Sequence, residues 1–177
     1  MAQVDYLLLI DTIQGESQIL GESQDSYFKS AAPSVKNAKP IDILSFSFTV
    51  NNQAFIGSAT SGAGAGKVVF GGFQFTQHVN TGSPALFQAL CEGAHFKSAA
   101  LLIRKAGGKQ EVYLKYEFDL VFITSIQTMS VAGDPVPVEV VTIAYGALKQ
   151  SYMAQTSTGG LSGAVSRGWS QIKNQKL

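Results

Sequence analysis

Apolar residues recur at every second position along three separate stretches of this chain, and a period of two belongs to β-strands. Over 44–50, Leu44, Phe46, Phe48 and Val50 share one face, while Ser45, Ser47 and Thr49 take the other. From Val112 the even positions Leu114, Tyr116, Phe118 and Leu120 continue an apolar row opposite Lys115, Glu117 and Asp119. Over 138–145 both faces are apolar at the centre, which predicts a strand covered on both sides, by its own fold or by a partner. The longest unbroken apolar runs, 6–10 and 99–103, fall far short of the roughly 20 residues a spanning helix needs. No membrane insertion is expected.

One helix interrupts the strands, over about 83–92. Ser83 suits an N-cap, Pro84 the first helical position, and Gly93 the left-handed position after the end. Leu86, Phe87, Ala89 and Leu90 supply an apolar face. At about three turns, this helix suits plugging the end of a barrel better than forming a layer. Val68 and Phe70 lie on one phase and Phe73 and Phe75 on the other, which predicts a bulge at Gly71 and Gly72. The run 99–105 and the row from Val112, separated by Ala106-Gly107-Gly108-Lys109, predict a hairpin. Long loops are expected at about 15–40 and 51–66, with a polar C-terminal tail at about 155–177. The doubled Gly-Glu-Ser-Gln at 15–18 and 21–24 is too short to mark a repeat architecture. The expected fold is mainly β: a single domain over 1–177, a β-barrel of two packed antiparallel sheets with one short α-helix.

Charge narrows the partners. The chain has 13 basic and 12 acidic residues, a net charge of +1, and only 14% charged residues, against about 25% in soluble proteins generally. That balance leaves no footprint for nucleic acid. A single cysteine excludes an intrachain disulfide framework. The opening Met1-Ala2-Gln3-Val4-Asp5 lacks the basic and apolar regions of a signal peptide, so synthesis and folding in the cytoplasm are expected. So little charge is unusual for a solitary domain but fits one whose surface is largely hidden in an assembly.

The chemical motifs are weak. The loop 61–68, Ser-Gly-Ala-Gly-Ala-Gly-Lys-Val, has the look of a phosphate cradle. A P-loop, however, needs Gly where Ser61 stands and Ser or Thr where Val68 stands, and a strand rather than a helix follows. Cys91 and His95 are four apart, but His78 is the only other histidine and there is no second cysteine to complete a zinc site. A small buried cysteine on the helix's apolar side is expected instead. No G-x-S-x-G elbow is present. Glu16 and Glu22 sit in a polar loop with nothing to fix their geometry, and Arg104, Lys105 and Lys109 read as a solvated turn. No cofactor, metal or catalytic residue is expected, and the chain does not read as an enzyme.

The order of the motifs says more than any one of them. Ile13-x-Gly15-Glu16-Ser17, Gly21-Glu22-Ser23-x-Asp25 and the run 41–46 open the series. Gly62-x-Gly64-x-Gly66-Lys67-Val68, Phe73-x-Phe75, Gly82-Ser83-Pro84-x-Leu86-Phe87 and Cys91-x-Gly93-x-His95 follow. The run 104–108, the run 113–116, Trp169 and the ending Asn174-Gln175-Lys176 complete it. In this order they resemble the Hcp proteins, the tube subunits of bacterial type VI secretion systems. The resemblance implies a small barrel that assembles into hexameric rings, which stack into a tube driven from the cell by a contractile sheath. It further implies a spike protein at the tip, effector proteins in the lumen, and export without a cleaved signal.

On that footing, Gly62, Ala63, Gly64, Ala65, Gly66 and Lys67 are candidates for a subunit or ring-stacking interface. Ser45, Ser47 and Thr49 are candidates for the lumen wall. Two other readings remain open: a phage-like tail-tube protein, and a monomeric β-barrel that binds a small ligand in its interior.

Overall fold

The computed structural model describes residues 4–11, 19–23, 39–55, 64–105, 111–130, 132–156 and 160–177. Among these the chain forms, in order, β1 (Val4–Asp11), β2 (Ile41–Asp42), β3 (Ser45–Ser47), β4 (Val50–Phe55), β5 (Gly64–Phe70) and β6 (Phe73–His78). The helix α1 (Ser83–Glu92) comes next, then β7 (His95–Lys105), β8 (Val112–Met129), β9 (Val138–Tyr152), β10 (Val165–Ser170) and β11 (Gln175–Lys176).

The two longest apolar runs in the sequence pair with each other. Antiparallel β1 and β7 set Tyr6 opposite Ile103, Leu7 opposite Leu102, Leu8 opposite Leu101 and Leu9 opposite Ala100. Leu8, Ile10, Leu101 and Ile103 join the main core, while Leu7, Leu9, Ala100, Leu102 and Val112 form a second buried cluster. Alternation along a strand sends these two sets to opposite faces, so the pair is buried on both. Burial on both faces within the one chain thus belongs to β1 and β7. In β9, Glu139, Val141, Ile143 and Tyr145 are buried, whereas Val138, Val140 and Thr142 are half-buried and Ala144 is exposed.

From β7 the sheet continues through the long antiparallel strands β8 and β9, and β6 and β10 share the far edge of β9. Strand β3 pairs with β6 and strand β2 with β1. Two backbone bonds span the gap that the ladders leave between β2 and β3. The Ile43 amide donates to the Tyr6 carbonyl at 3.1 Å, and the next amide, Leu44, donates to the Thr76 carbonyl at 2.7 Å. One short segment thereby joins both ends of the sheet around an aromatic interior. Phe73 and Phe118 lie at its centre, 4.8 Å apart between ring centroids.

Several expectations give way to physical detail. The alternating run 44–50 is not one strand. Phe46 pairs within β3, and the chain then leaves for β4, which pairs only with β5 in a separate two-stranded sheet. Parts of 51–66, read from composition as loop, are the facing ends of β4 and β5. Gly71 and Gly72 mark the crossing from one sheet to the other rather than a bulge within one strand.

The helix spans Ser83–Glu92 as expected, but Gly82 is its N-cap and Ser83 lies inside the first turn. Gly93 closes the helix in the left-handed region at φ 66°, with the Ala94 amide donating to the Ala89 carbonyl at 3.0 Å. Leu86 and Ala89 are buried in the main core. Phe87, placed by periodicity on the buried side, is 62% exposed. In β8 the inward row moves from Tyr116 and Phe118 to Val121 and Ile123, with Leu120 at φ 52° between them.

Candidate functional site

The site candidates lie on β3 and on the β4–β5 hairpin. In β3, Phe46 turns inward against Tyr6, Phe73 and Tyr116, with ring centroids 5.6, 5.8 and 6.0 Å away. Phe48 packs on Tyr116 at 5.3 Å. Ser45, Ser47 and Thr49 are exposed, but so are Leu44 and Val50, so of the expected apolar face only Phe46 and Phe48 turn inward. At its end the Thr49 carbonyl accepts from the Gly71 amide at 2.8 Å. A Cβ on Gly71 would meet the Thr49 hydroxyl at 2.2 Å, so a side chain here would have to turn the Thr49 hydroxyl aside.

Beyond Thr49 the β4–β5 hairpin leaves the barrel. Gly64 and Ala65 pair with Phe55 and Ala54, Gly66 follows in β5, and Lys67 is exposed. Gly62 and Ala63 lie outside the described residues. Lys67 thus sits on an extended strand, with no helix start behind it to hold a phosphate. Val50 and Val69 leave the hairpin's base partly apolar and exposed. Phe70 anchors that base. Its amide donates to Gln171 Oε1 at 2.7 Å, and its ring stacks on Tyr145 at 5.3 Å.

The other sequence candidates separate. Cys91 is exposed rather than buried, and His95 stacks on Phe122 at 5.5 Å, so nothing draws the two together. Arg104 is not in a solvated turn: it is buried, and its Nε donates to Asp5 Oδ2 at 3.0 Å across β1 and β7. Lys105 reaches Gln155 Oε1 at 2.6 Å, while Lys109 lies outside the described residues. Glu22 Oε1 accepts from the Thr81 amide at 3.0 Å, and its supposed partner Glu16 lies outside the described residues.

Sequence reasoning missed the buried polar node at the helix start. Glu139 Oε2 accepts from Ser83 Oγ at 2.8 Å and from Gln77 Nε2 at 3.1 Å, and Oε1 faces Thr128 Oγ1 at 3.4 Å. The signal was present, since Glu139 is the acidic residue on the inward phase of β9. Tyr145 is the second such group. Burial pushes its hydroxyl up to about 12, and burial likewise raises Tyr116 and Tyr113, with neighbouring tyrosines adding to both.

The described residues thus form an aromatic-filled antiparallel sheet with one short helix packed on it and a separate two-stranded sheet. The chain belongs to the Hcp family of type VI secretion tube proteins: the family described as "Type VI secretion system effector, Hcp" matches residues 7–152. Protein hcp1 of Pseudomonas aeruginosa is 32% identical over 110 residues, which are 61% of this chain and 68% of the relative. A solved structure described as that of a type six secretion system protein is 26% identical, with a TM-score of 0.83 over 99% of this chain and 100% of its own. The crystal structure of Hcp1 from Salmonella typhimurium shares the fold at 24% identity, with a TM-score of 0.70 over 99% of this chain and 100% of its own.

Proposed function

We propose that this chain is a structural subunit of the type VI inner tube, with six copies closing a ring and rings stacking end to end. The observation that carries the reading is the family match over residues 7–152, supported by the full-length likeness at TM-score 0.83. In this reading the subunit is made in the cytoplasm without a cleaved signal and leaves through the type VI system. A spike protein caps the tube, a contractile sheath surrounds it, and effector proteins travel in the lumen. No catalytic step is assigned to it.

Physical features favour assembly over a solitary ligand-binding barrel. The interior that such a ligand would need is occupied by Phe46, Phe73, Phe118 and Tyr116 in mutual contact. The β4–β5 sheet presents strand edges that another backbone can pair with. A ring closed by head-to-tail contacts satisfies each exposed patch with a different patch on the neighbour.

We assign Gly62–Lys67 to subunit or ring stacking and Ser45, Ser47 and Thr49 to the lumen wall. A hydroxyl row suits a wall that wets cargo without gripping it.

Native mass spectrometry and negative-stain imaging of the purified chain test the reading: six-membered rings are expected, and a monomer at every concentration overturns it. Ala63→Asp and Ala65→Asp are expected to shorten stacked tubes while leaving folded subunits. Tubes of unchanged length would remove this segment from the interface.

A further inference from the structure

The two longest strands of the chain have unlike ends. β8 and β9 pair from Leu114 opposite Tyr152 to Met129 opposite Val138. At about 3.3 Å per residue, that ladder sets its ends roughly 50 Å apart along the strands.

One end is aromatic. Tyr6, Ile103, Leu114 and Tyr152 stand opposite one another in a single row across β1, β7, β8 and β9. Tyr116 lies one step further in, with the Phe46 and Phe48 rings 6.0 and 5.3 Å away. Tyr113 sits beside the row. Burial first, then the charges of Tyr6 and Tyr152, push its hydroxyl up, so both phenols lie within electrostatic reach of it. Lys105 Nζ lies over the Tyr113 ring, 5.7 Å from its centroid. Tyr6 and Tyr113 are half-buried, while Tyr152 and Lys105 are exposed. Among the described residues no carboxylate comes within ion-pair distance of Lys105.

The other end is a stiff tip. Residues 132–137, which lead into β9, are all exposed. Pro135 and Pro137 each fix one backbone angle. Asp134 Oδ1 accepts from the Val136 amide at 3.1 Å, and the Pro137 carbonyl accepts from the Val79 amide at 3.0 Å. Val136, Val79 and Met129 leave apolar surface open there. Asp134 is the one carboxylate in 132–137, and among the described residues no lysine or arginine reaches it.

We propose that the Asp134-Pro135-Val136-Pro137 tip of one copy seats against the cluster of Tyr6, Tyr113 and Tyr152 on a second copy, with Asp134 facing Lys105. The inference rests on the self-assembly reading above and adds to it the surfaces that meet. Both ends of the ladder leave apolar surface open, and each carries the charge that the other lacks. Aromatic surfaces suit proline segments, whose backbone is already ordered and loses little freedom on docking. The two ends differ, so the contact is head-to-tail. Repeated along the strands, it passes from ring to ring. A ring makes one such contact per subunit, so contacts that are weak singly hold together.

The test follows purified full-length rings stacking into tubes at low salt, by light scattering and electron microscopy. Lys105→Glu and Asp134→Lys each set like charge against like, and each is expected to weaken stacking on the order of tenfold. The double variant presents opposite charges again and is expected to stack as the wild type does. Tyr152→Ser, which removes exposed aromatic surface and no charge, is expected to weaken stacking as well. Circular dichroism and native mass spectrometry check that every variant folds and closes rings. Wild-type stacking by either charge variant alone overturns the proposal. A double variant that stacks no better than the singles also overturns it, because some other segment or another protein is then the occupant. Wild-type rings that never stack overturn it too. A wild-type chain that forms no rings condemns the tube reading itself, which is a different result.

Discussion

The hydroxyl of Ser83 lies 2.8 Å from Oε2 of Glu139, a contact that ties the first turn of α1 to β9 across 56 positions of sequence. Gln77 on β6 donates to the same oxygen at 3.1 Å, so one carboxylate gathers the helix and two strands. Both partners are buried neutral donors, and the helix start adds its own partial positive charge.

Ser83→Ala is therefore expected to cost about 2 kcal/mol, the range for a buried hydrogen bond to a charged acceptor. Glu139→Gln is expected to cost a similar amount, because an amide nitrogen then faces donors. Urea unfolding of the singles and the double gives the coupling, with about 1 kcal/mol expected for groups in direct contact. Costs that simply add would mean that the helix is held by Leu86 and Ala89 alone.

Among the described glycines, Gly21 makes the closest approach to neighbouring backbone. A Cβ there would meet the Pro40 carbonyl oxygen at 2.1 Å and the Ile41 Cα at 2.8 Å. The Gly21 amide donates to the Lys39 carbonyl at 3.2 Å, so the two segments cannot part without losing that bond. Gly21→Ala is expected to destabilise by about 3 kcal/mol, at the upper end for overpacking. Gly163→Ala, with nothing within 4 Å of the added carbon, is expected to change little. Equal melting temperatures for the two would refute the crowding argument.

Tyr145 makes stability fall at alkaline pH. Its buried hydroxyl has no hydrogen-bond partner among the described residues, and burial raises it from 10.0 to about 12. The folded state then keeps a proton that the unfolded chain gives up. The contribution is whole below pH 10 and is lost as pH rises from 10 to about 12. In that window a loss on the order of 1 kcal/mol per pH unit is expected. Tyr145→Phe should flatten the curve and, by removing an unpaired buried hydroxyl, stabilise the fold by about 1 kcal/mol. An unchanged alkaline profile would assign the loss to other groups.

Sequence alone revealed the elements that repeat a simple period and missed those that depend on distant partners. The helix over 83–92 was legible because proline, apolar spacing and Gly93 all act locally. Its cap was not, because the Ser83 hydroxyl is claimed by Glu139, 56 positions away. The 44–50 row showed that Phe46 and Phe48 turn inward, but it also placed Leu44 and Val50 there, and no local signal announces that the backbone changes sheets at Thr49. Asparagine in β4 and glycine at the start of β5 masked this pair, whose pairing supplies what their weak propensity lacks. For the candidate site, the exposure of Ser45, Ser47 and Thr49 could be read from alternation, whereas the exposure of Leu44 and Val50 could not.

Leu101 and Leu102 test the doubly buried sheet directly, because neighbours on one strand point to opposite faces. Leu101 belongs to the barrel interior and Leu102 to the outer cluster with Leu7 and Leu9, and both are 0% exposed. In a barrel with a solvated wall, truncating the outward residue costs little. Here Leu101→Ala and Leu102→Ala are each expected to cost about 3 kcal/mol, since each removes a fully buried side chain and leaves a cavity. The two sites lie in separate clusters, so cavity effects should be nearly additive in the double variant apart from their shared backbone. Guanidinium unfolding measures all three. A cost below about 1 kcal/mol for Leu102→Ala alone would show that the outer cluster is a loosely held surface rather than a second core.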